Sequence, residues 1–214
     1  MKKLIVLAMV MTLLAGLMVG CGGKKVDPKA SAAPDEELVW SSSDKRPGWT
    51  LKAPDDSDGN MYFIGRSGRL ATEQLAHRRA MMDARTQITQ NMGTLVKNKI
   101  EQARVDFGLS SDVVNPTESA REYTKQLAAN YVSGAKDKDT YVERWKTPTG
   151  YGWQYWVLVA MPKNLANESS SEFAAAQARE NMRKAKQESD AIAKEQLEKA
   201  SDMWKKIQEE GLAE

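Results

Sequence analysis

The sequence predicts an α+β fold, because strand patterns and helical patterns occupy separate stretches of the chain. A short strand pattern at residues 61–65 precedes a long helical pattern that reaches about residue 107. A second helical stretch, two strand patterns joined by a turn, and a charged helical segment over residues 166–214 follow in that order. We therefore expect a small sheet, helices packed against it and a long C-terminal helix.

Residues 1–20 have the pattern of a secretory signal peptide. Two lysines precede an apolar run over residues 4–19, and the small residue Gly20 stands directly before Cys21. The cysteine makes the pattern resemble a bacterial lipobox, in which the cysteine is diacylated and its new amino group is acylated after cleavage. An ordinary signal peptide is one alternative, and a transmembrane anchor, for which the run is short, is the other. The sequence predicts that Cys21, bearing a diacylglycerol and an N-acyl chain, is the membrane anchor.

The residue after the cysteine indicates to which membrane the protein is transported. In the lipoproteins that this signal resembles, Asp at that position retains the protein at the inner membrane, and Gly22 stands there instead. We expect the anchor in the outer membrane, with the domain facing the periplasm and the cell exterior as the alternative. Residues 21–44, rich in charged residues and proline, are expected to form a flexible tether. Leu38, Val39 and Trp40 interrupt it and are candidates to dock on the domain at residues 45–165.

Composition limits the other partners. The 31 Lys and Arg residues exceed the 29 Asp and Glu residues only through Lys2 and Lys3, so nothing favours a nucleic-acid partner. Cys21 is the single cysteine and His77 the single histidine, which argues against a disulfide and a zinc site. The acidic cluster at residues 55–60 lacks the spacing of a calcium-binding EF-hand. We expect no metal and no cofactor apart from the covalent lipid.

Small and apolar residues recur every four positions in the first helical pattern, as the buried face of a helix requires. They are Ala76, Ala80, Ala84, Ile88 and Met92. Helical spacing continues to Phe107, so the sequence predicts one helix with Gly93 as a weak point. A second helix is expected from Pro116, a residue favoured in the first turn, to about residue 133, with Gly134 as its stop.

Residues 140–146 and 153–161 alternate as strands do, and residues 147–152 supply a turn that contains Gly, Pro and Thr. The second strand is apolar on both faces, which predicts a central position or a face that meets a partner. The hairpin offers aromatic residues for stacking on a glycan or peptide, although the same residues also suit the core of a sheet. These candidate interaction residues are Trp153, Tyr155 and Trp156.

The segment over residues 166–214 carries acidic residues four positions before basic ones, a pattern typical of a solvated helix. Apolar residues within it step four, three, four and three positions, as in a coiled coil. The candidate contact residues are Leu197, Trp204 and Ile207. Two interpretations stay open: the helix packs on its own domain, or it binds a second copy of the chain or another envelope protein.

No catalytic motif is recognisable. The sequence has no Gly-rich phosphate loop and no GxSxG, HExxH or CxxC pattern. No serine motif points to His77, whose position beside the small-residue stripe is typical of a partly exposed helix residue. We therefore expect a protein that is not an enzyme.

The ordered motifs resemble those of the LPP-twenty lipoprotein family, small bacterial outer-membrane lipoproteins that include flagellum-associated members. Besides the lipobox, the motifs are Pro47-Gly48-Trp49, Tyr62-Phe63-Ile64-Gly65, Ala76-x3-Ala80-x2-Asp83-Ala84-Arg85, Gln87-Ile88 and Trp156-Val157-Leu158-Val159-Ala160-Met161-Pro162-Lys163. The resemblance covers residues 45–165 and implies an antiparallel sheet with helices packed on one side, with no known catalytic residues. It does not extend to the C-terminal segment.

These observations lead us to expect a lipid-anchored outer-membrane lipoprotein with a structural, protein-interaction role as a scaffold in the cell envelope. Its partners would be the membrane, through the anchor, and a second copy or an envelope protein, through the C-terminal helix. One alternative is an accessory lipoprotein that regulates an envelope enzyme or flagellar assembly. Another is a binder of glycan or a small ligand through the Trp/Tyr hairpin.

Overall fold

The computed structural model of this chain describes residues 35–130 and 135–212, and the predicted α+β class is confirmed. The signal peptide, Cys21, most of the tether and the expected end of the second helix lie outside these residues. The strands are β1 (Glu37–Ser41), β2 (Asn60–Arg66), β3 (Lys136–Thr147) and β4 (Gly150–Pro162), and the helices are α1 (Glu73–Asp106), α2 (Pro116–Asn130), α3 (Lys163–Gln187) and α4 (Ala191–Glu210).

The four strands form one sheet in the order β1-β3-β4-β2, and every neighbouring pair is antiparallel. β4 is central and buried on both faces, as its doubly apolar pattern predicts. β1 pairs with β3, so Leu38, Val39 and Trp40 dock on the domain as an edge strand inside the segment that composition assigned to the tether. Composition therefore places the end of the tether too late in the chain, because three apolar residues in a polar stretch are enough to form an edge strand.

Helix α1 covers one face of the sheet over β2 and β4. Its predicted stripe is fully buried, and Gly65 on β2 lets the two backbones approach closely. A Cβ at Gly65 would overlap the Ala80 carbonyl oxygen and lie 2.7 Å from the Ala84 amide nitrogen. The opposite face is covered by the segment around Arg46 and by a short 3-10 turn at Gly48–Thr50, so the long helices lie on one side of the sheet.

The glycine in the middle of α1 does not interrupt the helix, which continues to Asp106, close to the predicted end. Gly93 is buried within a continuous helix, and a Cβ there would lie 2.6 Å from the Thr124 methyl group of α2. The missing side chain therefore allows α2 to pack closely against the second half of α1.

The C-terminal segment forms two helices where the sequence predicted one. Glu188 is extended, with φ −81° and ψ 130°, and the Asp190 side chain accepts a hydrogen bond from the Ala193 amide to cap α4. The two helices form an antiparallel hairpin in which the Ser201 hydroxyl donates to the Ala178 carbonyl. Within the described residues, no helix combines the length and apolarity needed to cross a bilayer.

Candidate functional site

Four side chains from three adjacent strands form a partly exposed cluster, the aromatic–arginine surface, at the end of the sheet that holds the β3–β4 turn. Its members are Trp40 on β1, Arg144 on β3, and Tyr151 and Trp153 on β4. Trp40 pairs with Arg144, and Arg144 pairs with Trp153. Directly opposed residues project from the same face, and so does Tyr151, two positions before Trp153. The strand register therefore gathers residues that lie far apart in the sequence.

The side chains of this surface contact one another. The Trp40 and Trp153 ring centroids are 6.0 Å apart, with 65° between the ring planes. The Arg144 guanidinium carbon lies 4.8 Å from the Tyr151 ring centroid and 5.3 Å from that of Trp153, within the range of cation–π contacts. Trp40 remains 49 % exposed and Tyr151 56 % exposed. The cluster is thus held by mutual contacts and is still open to solvent.

The guanidinium of Arg144 has no anionic partner in the described part of the chain. No carboxylate in residues 35–130 or 135–212 forms an ion pair with it, and its buried Nε atom has no hydrogen-bond partner there. A desolvated donor without a partner is unfavourable, so an anionic oxygen that reached this atom would be stabilised.

The surface is open because of where α1 begins. Leu70 forms a two-way backbone bridge with Trp153, and α1 then starts at Glu73 and runs over β4 and β2. The main contacts of α1 with the sheet are with these two strands, and β1 and β3 lie toward the other edge of the sheet. Trp40 and Arg144 therefore lie beside α1 rather than beneath it.

Tyr155 and Trp156, two further candidates from the hairpin, are buried. The Tyr155 hydroxyl donates to Glu73 Oε1 over 2.5 Å, and its ring meets the His77 ring edge-on at 5.4 Å. Burial, together with the Glu73 carboxylate, raises the pKa of Tyr155 above its ordinary value. Trp156 lies on the opposite face, 4.6 Å from the Arg46 guanidinium carbon. Neither aromatic side chain is placed to stack on a ligand.

A buried ion pair on the opposite face escaped the sequence analysis. Arg46 Nη2 donates to Glu143 Oε1 over 2.7 Å and to Oε2 over 3.0 Å, and the Trp145 indole donates to Glu143 Oε2 over 2.9 Å. Glu143 is fully buried between Tyr141 and Trp145, aromatic residues that share its strand face. In the sequence, the signal for this ion pair was a carboxylate placed between two aromatic residues on the same face of the strand. The network ties the segment before β2 to the sheet.

The candidate residues of the C-terminal segment face the protein's own core. Trp204 is 1 % exposed and its ring meets the Phe173 ring edge-on at 5.7 Å. Ile207 is 4 % exposed and Leu197 is half-buried. Of the two interpretations, packing on the same chain is the one seen here, because this apolar stripe fills the space between α3, α4 and the rest of the core. The stripe is therefore not a free contact surface in this conformation.

The residues from which a catalytic or metal site could be built either lie apart in the described part of the chain or fall outside it. His77 pairs with Asp137 at 3.2 Å. Across residues 35–130 and 135–212 there is no cluster of His, Cys, Asp and Glu suited to a metal ion. The lipidation candidate Cys21 lies outside the described residues. Comparisons of this chain with protein-family models, with curated proteins and with solved structures gave no match.

Proposed function

We propose that this protein is a lipid-anchored lipoprotein of the outer membrane with a structural, protein-interaction role in the cell envelope. The signal sequence and Cys21 support the anchor, and the lipobox together with the ordered motifs supports the resemblance to the LPP-twenty lipoproteins. The role we propose is non-catalytic.

One observation supports this role most directly: the tether and the C-terminal helices leave the sheet at opposite ends. Glu37, the first residue of β1, pairs with Lys146 beside the β3–β4 turn. β4 runs from that turn to Pro162, and α3 starts at the next residue. The residue at which the expected tether joins the sheet and the first residue of α3 are therefore separated by the length of the sheet.

Helix α1 increases this separation. It begins near the β3–β4 turn and has 34 residues, which corresponds to about 51 Å at 1.5 Å per residue. Near its far end, Lys206 approaches Asp106 at 3.8 Å and Lys99 approaches Glu210 at 2.5 Å, so α4 runs antiparallel to it. The turn between α3 and α4, which we call the tip, consequently projects beyond the end of α1.

A lipid anchor at one end and a helical tip at the other suit a scaffold. Confinement to a membrane raises local concentration, so that weak contacts made by the tip become stable ones. Ile192 at the tip is 74 % exposed and is a candidate contact for an envelope protein. Regulation of an envelope enzyme or of flagellar assembly would use the same arrangement.

A second candidate function, glycan or small-ligand binding, is favoured by the exposed ring of Tyr151 beside Arg144 and Trp153. Tyr151→Ala should then abolish binding of the glycan, and Ile192→Ala should leave it intact. A scaffold predicts the reverse dependence for capture of a protein partner.

The anchor can be tested in cells by metabolic labelling with an alkyne fatty acid followed by membrane fractionation. We expect labelled protein in the outer-membrane fraction, loss of label in Cys21→Ala, and a shift to the inner membrane in Gly22→Asp. Wild-type protein that stays unlabelled and fractionates with soluble periplasmic proteins would contradict the proposal.

The scaffold role needs exposed positions for its test. Removing residues 169–214 would strip Phe173 and Trp204 from the core, so deletion confounds function with folding. A photo-cross-linking residue at position 192 should instead capture an envelope protein or a second copy. The same residue at Leu51, which is 63 % exposed on another part of the domain, is the matched control. Equal cross-linking from both positions would contradict a contact made by the tip.

A further inference from the structure

The aromatic–arginine surface lies at the end of the domain where the expected tether joins the sheet. Fifteen residues lie between Cys21 and Glu37, so the sixteen Cα–Cα steps that join them span at most about 58 Å when fully extended. Glu37 enters the sheet opposite Lys146, two residues beyond Arg144. The proposed anchor at Cys21 would therefore keep this end of the sheet within tether reach of the membrane.

The chemistry of the cluster matches the headgroup layer of a bilayer. Trp and Tyr concentrate at membrane interfaces because their rings are apolar and their NH or OH groups stay hydrated. Trp40 and Tyr151 are half-exposed, and Trp153 is partly buried beneath them. Arg144 lies between the rings with no carboxylate partner among the described residues. A lipid phosphate would supply the anionic oxygens that its guanidinium lacks.

The surrounding charges indicate what kind of bilayer is needed. Asp35 and Glu37 are exposed at this end, Lys146 lies opposite Glu37, and Arg69 forms an ion pair with Glu36. Acidic and basic groups are nearly balanced, so attraction to anionic lipid is weak. The aromatic side chains and one arginine–phosphate contact must provide the affinity, and zwitterionic lipid is sufficient for that.

We infer that the aromatic–arginine surface docks on the phospholipid headgroup layer of the membrane that carries the anchor. The rings of Trp40 and Tyr151 enter the interface, and Arg144 binds a lipid phosphate. This inference rests on the proposed lipid anchor and names the partner of the candidate site. Because a short tether gives an effective concentration of about millimolar, a surface with only millimolar affinity is substantially docked. Docking of this end directs α1 and the tip away from the bilayer.

Cys21 allows a test that does not depend on acylation in cells. The mature chain, starting at Cys21, has this residue as its only thiol, and the described core lies entirely within residues 35–212. The thiol is coupled to a maleimide lipid in phosphatidylcholine vesicles, with or without a nitroxide in the headgroup region. Tryptophan emission is then compared in the two kinds of vesicle. We expect nitroxide-dependent quenching in the wild-type protein that persists at high salt.

Two variants keep all six tryptophans and so keep the reporters unchanged. Tyr151→Ser and Arg144→Gln should each weaken docking by about tenfold, the effect of a loss of about 1.4 kcal/mol. Ile192→Ser, an exposed apolar-to-serine change at the tip, should quench like the wild type. Circular dichroism and thermal unfolding of each variant verify that the fold is retained.

The outcomes separate the two proposals. Absence of quenching in the coupled wild-type protein, or equal quenching in Tyr151→Ser, Arg144→Gln and Ile192→Ser, would overturn membrane docking. Membrane docking would also be overturned if a soluble glycan or an envelope protein bound at Tyr151 while the vesicles produced no quenching. Failure of Cys21 to be acylated in cells would instead refute the proposed lipoprotein function, while the vesicle measurement would still report on the surface.

Discussion

Replacing Trp204 by alanine tests whether the α3–α4 hairpin is part of the folded core. The side chain is 1 % exposed and packs edge-on against Phe173. Burial of a tryptophan removes roughly 200 Å² from water, which at about 25 cal/mol per Å² corresponds to about 5 kcal/mol. This is an upper bound, because an unfolded chain already buries part of that surface. We expect Trp204→Ala to lower the free energy of unfolding by about 3–5 kcal/mol, as in other protein cores.

The assay is urea and thermal unfolding of the chain starting at Gly22, followed by far-ultraviolet circular dichroism. At roughly 2–4 °C per kcal/mol for a protein of this size, the midpoint should fall by about 6–20 °C. Ile192→Ala, in the same helix but 74 % exposed, is the matched control and should stay within about 0.5 kcal/mol of the wild type.

A loss below about 1 kcal/mol would refute the reasoning, because surface substitutions produce effects of that size. It would mean that Trp204 does not pack against Phe173 in solution and that the hairpin is free to bind elsewhere. An early unfolding transition that involves only part of the helical signal would carry the same meaning, since it would identify the hairpin as an independent unit.

Three further predictions concern the sheet. Gly65→Ala should destabilise the protein by about 3 kcal/mol or more, because backbone atoms of α1 occupy the place of the added methyl group, whereas Gly68→Ala should be tolerated; thermal unfolding compares the two. Glu143→Gln should cost about 3–5 kcal/mol in urea unfolding, because it removes the buried negative charge that the Arg46 guanidinium binds. Burial and the Glu143 carboxylate raise the pKa of Tyr141 from 10.0 to about 12. Ionisation of Tyr141 should therefore leave the free energy of unfolding unchanged below pH 10 and lower it between about pH 10 and 12, since only the unfolded chain loses the proton there. Tyr141→Phe should reduce that fall, and it should not destabilise the protein at neutral pH, because its buried hydroxyl has no hydrogen-bond partner among the described residues.

The sequence predicts the α1 layer well because the signal is long and periodic. Its five stripe residues are all fully buried, and they recur over four helical turns. The apolar character of both faces of β4 likewise predicts its central position. In both cases the pattern of apolar residues indicates which faces of the helix or strand are buried. That pattern can be read from the sequence of the single helix or strand.

The C-terminal hairpin was predicted less well because its break is unusual. Residues 188–190 contain neither glycine nor proline, the usual marks of a helix end. Ser189 and Asp190 were the available signal, since such residues favour helix N-caps, and Asp190 caps α4. A four-three spacing also fits two quite different partners, a second chain or the core of the same chain. Only the tertiary structure decides between them.

The aromatic–arginine surface could not be assembled from the sequence alone. Trp40 and Arg144 are neighbours only because β1 joins the sheet beside β3, about a hundred residues further along the chain. The sequence singled out Trp153 together with Tyr155 and Trp156, and the sheet buries the last two on its two faces. Exposure depends on where α1 starts, and no local pattern around the hairpin contains that information.

The topology makes the two proposed contacts separable. The chain enters the sheet beside the β3–β4 turn, and α3 leaves from the opposite end of β4, so the tip and the aromatic–arginine surface share no contact among the described residues. Substitutions at well-separated sites without common partners have additive effects. A Tyr151→Ser, Ile192→Ser double variant should therefore lose vesicle docking and partner capture by the amounts measured in the single variants. Non-additive effects of the two substitutions would imply that docking changes the position of the tip. A rigid helix between the two sites does not require such a change.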